Sequence, residues 1–202
     1  MSDWFTPRPI TGSHVRLVPQ TVDHVPGLFA AGGADPEVWR WLSAPMPATE
    51  ADLAAIVRGA LDQQERGLRV VYTIVDGATG RIAGTTSYYE PVPERRKIEI
   101  GYTWLGRPWW RTAVNTEAKL LLLAHAFDVL GCVRVMLRTD LRNERSQRAI
   151  ARLGAVREGV LRKHMQRPDG SWRDSVIFSI VDDEWPAVRE RLAAALSPAR
   201  PS

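Results

Sequence analysis

The stretch "KIEIGYTWLGRPWWRTAVNTEAKLLLLAHAFDVLGCVRVMLRTD" (residues 97–140) decides how the chain is read. Its opening segment, Lys97–Leu105, alternates in the manner of a strand. Ile98, Ile100, Tyr102 and Trp104 are expected on one face, and Glu99, Gly101 and Thr103 on the other. A loop with Arg107, Pro108, Trp109, Trp110 and Arg111 follows. A helical pattern then runs from Asn115 to Leu130 and stops at Gly131. "VRVMLRTD" (133–140) reads as a buried strand, and "NERSQRAIARLG" (143–154) as a helix capped by Asn143 and closed by Gly154. This strand–helix–strand–helix succession predicts parallel pairing across a helical crossover.

Working outward, "HVRLVP" (14–19) alternates like a short strand, and short helical stretches follow around Pro26 and over Asp35–Leu42. "ATEADLAAIVRGALDQQERG" (48–67) is a stronger helix, with Thr49 as cap, Leu53, Ile56, Val57 and Leu61 on one face, and Gly67 as stop. "LRVVYTIVD" and "RIAGTTSYYE" flank the turn "GATG" and read as a hairpin. Beyond the quoted stretch, "REGVLRKHM" and "SVIFSIV" are strands joined through a turn at Asp169-Gly170. "DDEWPAVRERLAAAL" closes the chain as a surface helix before a frayed "SPARPS" tail. The order predicts a single mixed α/β domain over residues 1–202, with an ordered core of about 11–196. No G-x-G-x-x-G follows a strand and no G-x-x-x-x-G-K-[ST] occurs, so neither a Rossmann site nor a P-loop is expected.

Composition narrows the function. The chain has 202 residues, 45% hydrophobic and 25% charged, as an ordinary globular domain does. No apolar run approaches the ~20 residues that cross a bilayer, and "MSDWFTPRPITG" lacks the apolar core of an export signal. Cys132 is the single cysteine, which excludes an internal disulfide and fits a reducing cytoplasm, with its thiol buried near a helix end. The net charge of +4 favours an anionic partner, but the arginines are scattered. A basic face interleaved with aromatics is missing, which argues against nucleic acid and for a small polyanion. His14, His24, His125 and His164 lack metal-ligand spacing, so no metal is expected. A G-x-S-x-G elbow is absent. His125 reads as a packed or surface residue and His164 as a surface one.

The loop between the first quoted strand and its helix carries the chemistry. The first turn of a helix has N–H groups without partners and a dipole that favours anions, so a strand–loop–helix start is an anion cradle. Thr112, Ala113 and Asn115 are small enough to let phosphate oxygens near the backbone, and Arg107 and Arg111 can add charge-assisted bonds. The competing reading is a well-capped loop whose tryptophans fill the core.

The stretches "IEIGYTWL", "WWRTAVNTEAKLLLLAHAFDVLG" and "VRVMLRTDLRNERSQRAIARLGAVREGVLR", with "DGSWRDSVIFSIVDDEW" after them, resemble the GNAT superfamily of acetyl-CoA-dependent N-acetyltransferases. The branch most resembled contains the ribosomal-protein N-terminal (alanine/serine) acetyltransferases, and the resemblance covers nearly the whole chain. The superfamily's pyrophosphate pattern is [Q/R]-x-x-G-x-[G/A]. Arg111 opens it, whereas Val114 and Thr116 stand where small residues are expected, which shifts the contact toward the side chains of Asn115 and Thr116. The resemblance implies the GNAT fold, in which Lys97–Leu105 splays from the strand Arg134–Thr139. It implies acetyl-CoA held by Tyr102, Thr103 and Trp104 along its pantetheine arm, with Gly101 at a bulge. It implies that Arg107, Trp110, Arg111, Thr112, Ala113, Val114, Asn115 and Thr116 face the pyrophosphate, with Asn143 and Ser146 by the arm. Glu99 is then the base or amine-positioning group, and Ser146 serves the leaving thiolate. A structural alternative for Glu99 is a salt bridge to Arg95, Arg96 or Lys97. Arg148 and Arg152 meet the adenosine phosphate or form a solvated helix face. Trp39, Trp41, Tyr88, Tyr89 and Trp172 line the acceptor side or belong to the core.

The implied reaction is direct acetyl transfer to a primary amine, either a peptide N-terminus or a small molecule. An α-amine of pKa about 8 is roughly a tenth neutral at pH 7, while lysine at about 10.4 is almost wholly charged, which favours the weaker base. The alternative of a different class is a non-catalytic acyl-CoA-binding sensor of the same fold. A homodimer through an exposed strand is a further expectation.

Overall fold

The computed structural model describes residues 4–197, so all but the first residue of the expected "SPARPS" tail lies outside the described residues. Eight strands form one sheet in the order β1-β2-β3-β4-β5-β6-β8-β7. They are β1 (Ile10–Thr11), β2 (Val15–Pro19), β3 (Arg69–Asp76), β4 (Ile82–Val92), β5 (Lys97–Leu105), β6 (Arg134–Asp140), β7 (Val156–Gln166) and β8 (Trp172–Val181). All neighbours are antiparallel except β5 and β6, the parallel pair that the crossover predicts. The helices are α1 (Val25–Leu28), α2 (Pro36–Trp39), α3 (Glu50–Glu65), α4 (Ala113–Ala124), α5 (Glu144–Leu153) and α6 (Trp185–Leu196). Among the described residues no helix is long and apolar enough to cross a membrane.

The β3–β4 hairpin turns where the sequence predicts. Asp76 fixes the turn by accepting from Ala78 N at 3.0 Å and Thr79 Oγ1 at 2.9 Å. The strand β1 was not expected, because two residues carry no periodicity to read. Glu117 of α4 ties this N-terminal edge down: its buried carboxylate accepts from the backbone N–H of Ser13, His14 and Val15 at 2.9, 2.6 and 2.7 Å. A Cβ on Gly12 would stand 2.5 Å from that carboxylate, so the close approach requires glycine.

Three details of the central unit differ from the sequence expectation. The first is the start of α4, which opens at Ala113 and not at Asn115. Thr112 is its cap, accepting from Val114 N at 3.3 Å while donating to Trp109 O at 2.8 Å. The helix also loosens into a π-turn over His125–Val129 before Gly131, at φ 65°, ends it. The second is the face of Tyr102. Pairing jumps from Ser87↔Gly101 to Thr85↔Trp104, so β5 carries one extra residue, and Tyr102 sits at φ 51°. The bulge removes Tyr102 from the face of Ile98 and Ile100. Its ring packs edge-on to Tyr89, the cross-strand partner of Glu99, with centroids 5.2 Å apart. The third is β7, whose register against β8 slips between Leu161 and Met165, with Lys163 at φ 47°.

The parallel pairing of β5 with β6 stops at Ile100↔Leu137. Beyond it β6 stays on β8 as far as Asp140, while β5 continues on β4 to Leu105. The two strands therefore splay, and Gly101–Leu105 has no partner on its β6 side. The core beneath holds Tyr72, Tyr88, Ile98 and Leu122, all at most 2% exposed. Cys132 lies in it, and burial pushes its thiol up to about 12, as befits an inert structural residue.

Candidate active site

The splay opens a cleft of about 900 Å³. Its walls are Glu99–Leu105 of β5, the start of α4 with Lys119, Leu137–Thr139 of β6, the outer face of α5, and His164, Met165 and Arg173 from the β7–β8 pair. One continuous space thus joins the N-terminus of α4 to the carboxylate of Glu99.

Glu99 is 4% exposed. Its partner is Arg138 of β6, and not Arg95, Arg96 or Lys97, which the sequence suggested by proximity alone. Arg138 Nε donates to Glu99 Oε1 at 3.1 Å and Nη2 lies 2.9 Å from Oε2. The Oε2 contact is an ion pair without good hydrogen-bond alignment, so Oε2 is buried with its acceptor capacity open. Burial raises the Glu99 carboxyl above its ordinary range, and Arg138 restrains the rise.

His164 is half-buried, contrary to the surface position expected. The slip in β7 turns it inward, onto Arg138 Nη1 at 2.9 Å and Ser175 Oγ at 3.0 Å. A guanidinium cannot accept, so Nε2 accepts from Arg138 and Nδ1–H donates to Ser175. Burial, with Arg138 and Arg173 nearby, lowers the imidazole's affinity for protons and keeps this neutral tautomer. Ser175, His164, Arg138 and Glu99 form a chain that runs from β8 to β5 and aims the carboxylate.

At the other end, Trp110 lines the cleft, its Nε1 donating to Leu105 O at 2.7 Å, and Arg145 stacks 3.6 Å from its ring centre. Arg111, at φ 63°, Thr112, Asn115 and Thr116 line it as well. The side chains of three predicted residues lie elsewhere. Arg107 turns out to Asp35, Nε–Oδ2 2.5 Å; Val114 is in the core; and Ala113 can offer only its N–H. Trp109 is core, donating to Asp76 Oδ2 at 3.0 Å. Asn143 caps α5 by accepting from Ser146 N at 3.0 Å, and both residues line the cleft. The Ser146 hydroxyl has no hydrogen-bond partner among the described residues. Arg148 and Arg152 also reach the cleft, whereas Trp39 and Tyr88 are core and Trp172 is exposed.

Lys119 was not singled out from sequence. It is 6% exposed, lines the cleft and donates from Nζ to Thr103 Oγ1 at 2.6 Å. Burial without a counter-ion brings its amine down to about 7. The spacing of Asn115, Lys119 and Leu122 along one helix face was the available signal.

A family model described as an acetyltransferase (GNAT) domain matches residues 14–156. The chain belongs to the GNAT acetyltransferase family. A T. thermophilus protein with an acetyltransferase assignment is 47% identical, with a TM-score of 0.87 over 95% of this chain and 98% of its own. Two Bacillus subtilis (strain 168) relatives match part of the chain. YoaA, named as an uncharacterized N-acetyltransferase, is 31% identical over 60% of this chain and 67% of its own. YdaF, provisionally assigned as a ribosomal N-acetyltransferase, is 30% identical over 52% of this chain and 57% of its own.

Proposed function

We propose that the protein transfers an acetyl group from acetyl-CoA directly to a primary amine, a peptide N-terminus or a small molecule. The observation that carries this reading is a buried carboxylate, Glu99, placed where β5 leaves β6, in one cleft with an open helix end. The donor fits this chain's residues. The unpaired edge of Tyr102, Thr103 and Trp104 can take a pantetheine arm as an added strand, and the N–H groups of Ala113 and Asn115 in the first turn, with the side chains of Arg111 and Thr116, suit a diphosphate. Acetyl-CoA supplies the electrophilic thioester carbonyl.

The residues do the rest. Tyr89, Tyr102 and Trp41 give the acceptor an apolar wall. Glu99, held by Arg138, orients the amine and accepts its proton on Oε2, directly or through water. Ser146 can donate from its hydroxyl to a sulfur in the cleft, and Asn143 holds α5 in register for that contact. Two copies pair through the edge strand β7 in this reading, and sedimentation tests it.

Thiol release from acetyl-CoA, screened against N-terminal peptides and amine metabolites with product mass, tests the proposal. Glu99→Gln should lose turnover and keep cofactor affinity. Cofactor binding with no turnover on any amine would favour the sensor reading, and no cofactor binding in calorimetry overturns both.

A further inference from the structure

The wall opposite β5 is built with Arg138, Arg142, Arg167 and Arg173, and all but Arg173 have a carboxylate partner. Arg138 holds Glu99 and His164. Arg167 holds Asp140, Nη2–Oδ2 2.7 Å, and also donates to Trp172 O at 2.6 Å. The side chain of Arg173, on β8, makes no hydrogen bond or ion pair among the described residues, and its Nε is buried and unsatisfied. Both nearby carboxylates are already engaged: Glu99 by Arg138, and the 1%-exposed Asp140 side chain by Arg167. With Arg142, whose Nε lies 3.9 Å from Asp140 Oδ1, four arginines face these two engaged carboxylates, and the cleft's further acid, Glu90, acts on Glu99 and His164.

Arg173 is half-buried, and its Nε is taken out of water without a partner, which is costly. Burial lowers the proton affinity of Arg173, and Asp140 and Glu99 offset this only from a distance. Its position shows where a partner would enter. Arg173 lines the Glu99 cleft and also a second cavity of about 500 Å³, where Trp41, Arg142 and Met165 stand. It lies on the acceptor side, away from the start of α4. A ligand that spans the two spaces would put its amine near Glu99 and another group on Arg173.

We propose that the acceptor amine also carries an oxyanion, a carboxylate or a phosphate, which Arg173 binds and selects. The proposal rests on the transferase reading above. The planar guanidinium, offering its two Nη groups end-on while Nε stays covered, matches such a group in a bidentate pair. An anionic group close to the amine would also account for a cation-rich wall around a catalytic acid.

The test uses the full chain and matched acceptors: β-alanine and its amide, phosphoethanolamine and ethanolamine, and dipeptides starting with Asp or Asn. Wild type should prefer the anionic member in kcat/KM by about 10- to 100-fold, the range of a hydrogen-bonded charged group. Arg173→Met should bring that ratio toward one, with acetyl-CoA affinity in calorimetry retained, and Arg173→Lys should restore part of it. The free-acid and peptide arms distinguish a small metabolite from an acidic N-terminus. Equal turnover of both members by wild type, or an equal loss on both in Arg173→Met, overturns the proposal, and so does a loss confined to cofactor affinity. Should no amine be turned over, calorimetry with the same anionic compounds still decides. Arg173-dependent binding would then sink the transferase reading and leave the anion site, whereas no binding sinks the anion site.

Discussion

Glu99 and Lys119 are two ionisable groups lining one cleft, and they are buried almost equally, at 4% and 6% exposure. Their surroundings differ. Glu99 has the guanidinium of Arg138, itself held by His164, while Lys119 has one hydroxyl, that of Thr103. Burial disfavours charge in both, but only Glu99 has a counter-charge against it. Thus the acid is raised yet restrained, and the amine falls to about 7.

The largest test of this contrast is Glu99→Gln. Positioned proton transfer contributes typically about 10²- to 10⁴-fold, so kcat should fall by that order while calorimetry shows cofactor affinity intact. Retention of wild-type kcat would leave the paired acid without a role. Next, Arg138→Gln removes the counter-charge. The Glu99 carboxyl then rises further, and because the base works deprotonated, the acid limb of the kcat/KM profile should move to higher pH. The variant should also lose about 3 kcal/mol or more at pH 7 in urea denaturation, since one half of a buried pair is left. An acid limb that stays in place would show that the ion pair does not govern the base.

Lys119→Met tests the unpaired side. The folded-state amine near 7 lies below the ordinary value of 10.5. Between these pH values the unfolded chain holds the proton and the folded chain does not, which favours unfolding. The penalty is full below pH 7, at most about 5 kcal/mol, and relieved as pH rises toward 10.5. Wild-type stability should therefore climb from pH 7 to 9.5, and Lys119→Met should start higher and lack the climb. Parallel urea midpoints for the two proteins across that range would instead mean that Nζ stays protonated.

Much of the fold was legible because periodicity and punctuation agree. The alternation of β5, the glycine stops at Gly131 and Gly154 and the parallel crossover all follow from local rules. The location of the cleft was legible for the same reason, since a strand leading into a helix start defines it. What sequence hid is register. The face of Tyr102 depends on one extra residue in β5, and the inward turn of His164 on a slip in β7; neither has a local signal. Arg138 meets Glu99 because a parallel pair brings residues 39 positions apart side by side, so proximity in sequence pointed to the wrong cations. Arg173 stands out only when the partners of its neighbours are known.

The mouth of α4 offers the smallest test. There the first-turn N–H groups face the cleft without side-chain partners among the described residues, except that of Val114, which donates to Thr112 Oγ1. Thr112→Ala removes the cap and adds an unsatisfied N–H at the helix end, a loss of about 1 kcal/mol in stability. If the remaining free amides hold a diphosphate, that ligand should satisfy part of what the cap did. The thermal shift caused by saturating coenzyme A should then be at least as large in Thr112→Ala as in wild type. A smaller shift would mean that the hydroxyl itself is part of the anion site, and that this end of the cleft depends, as the Glu99 end does, on a specific side-chain partner.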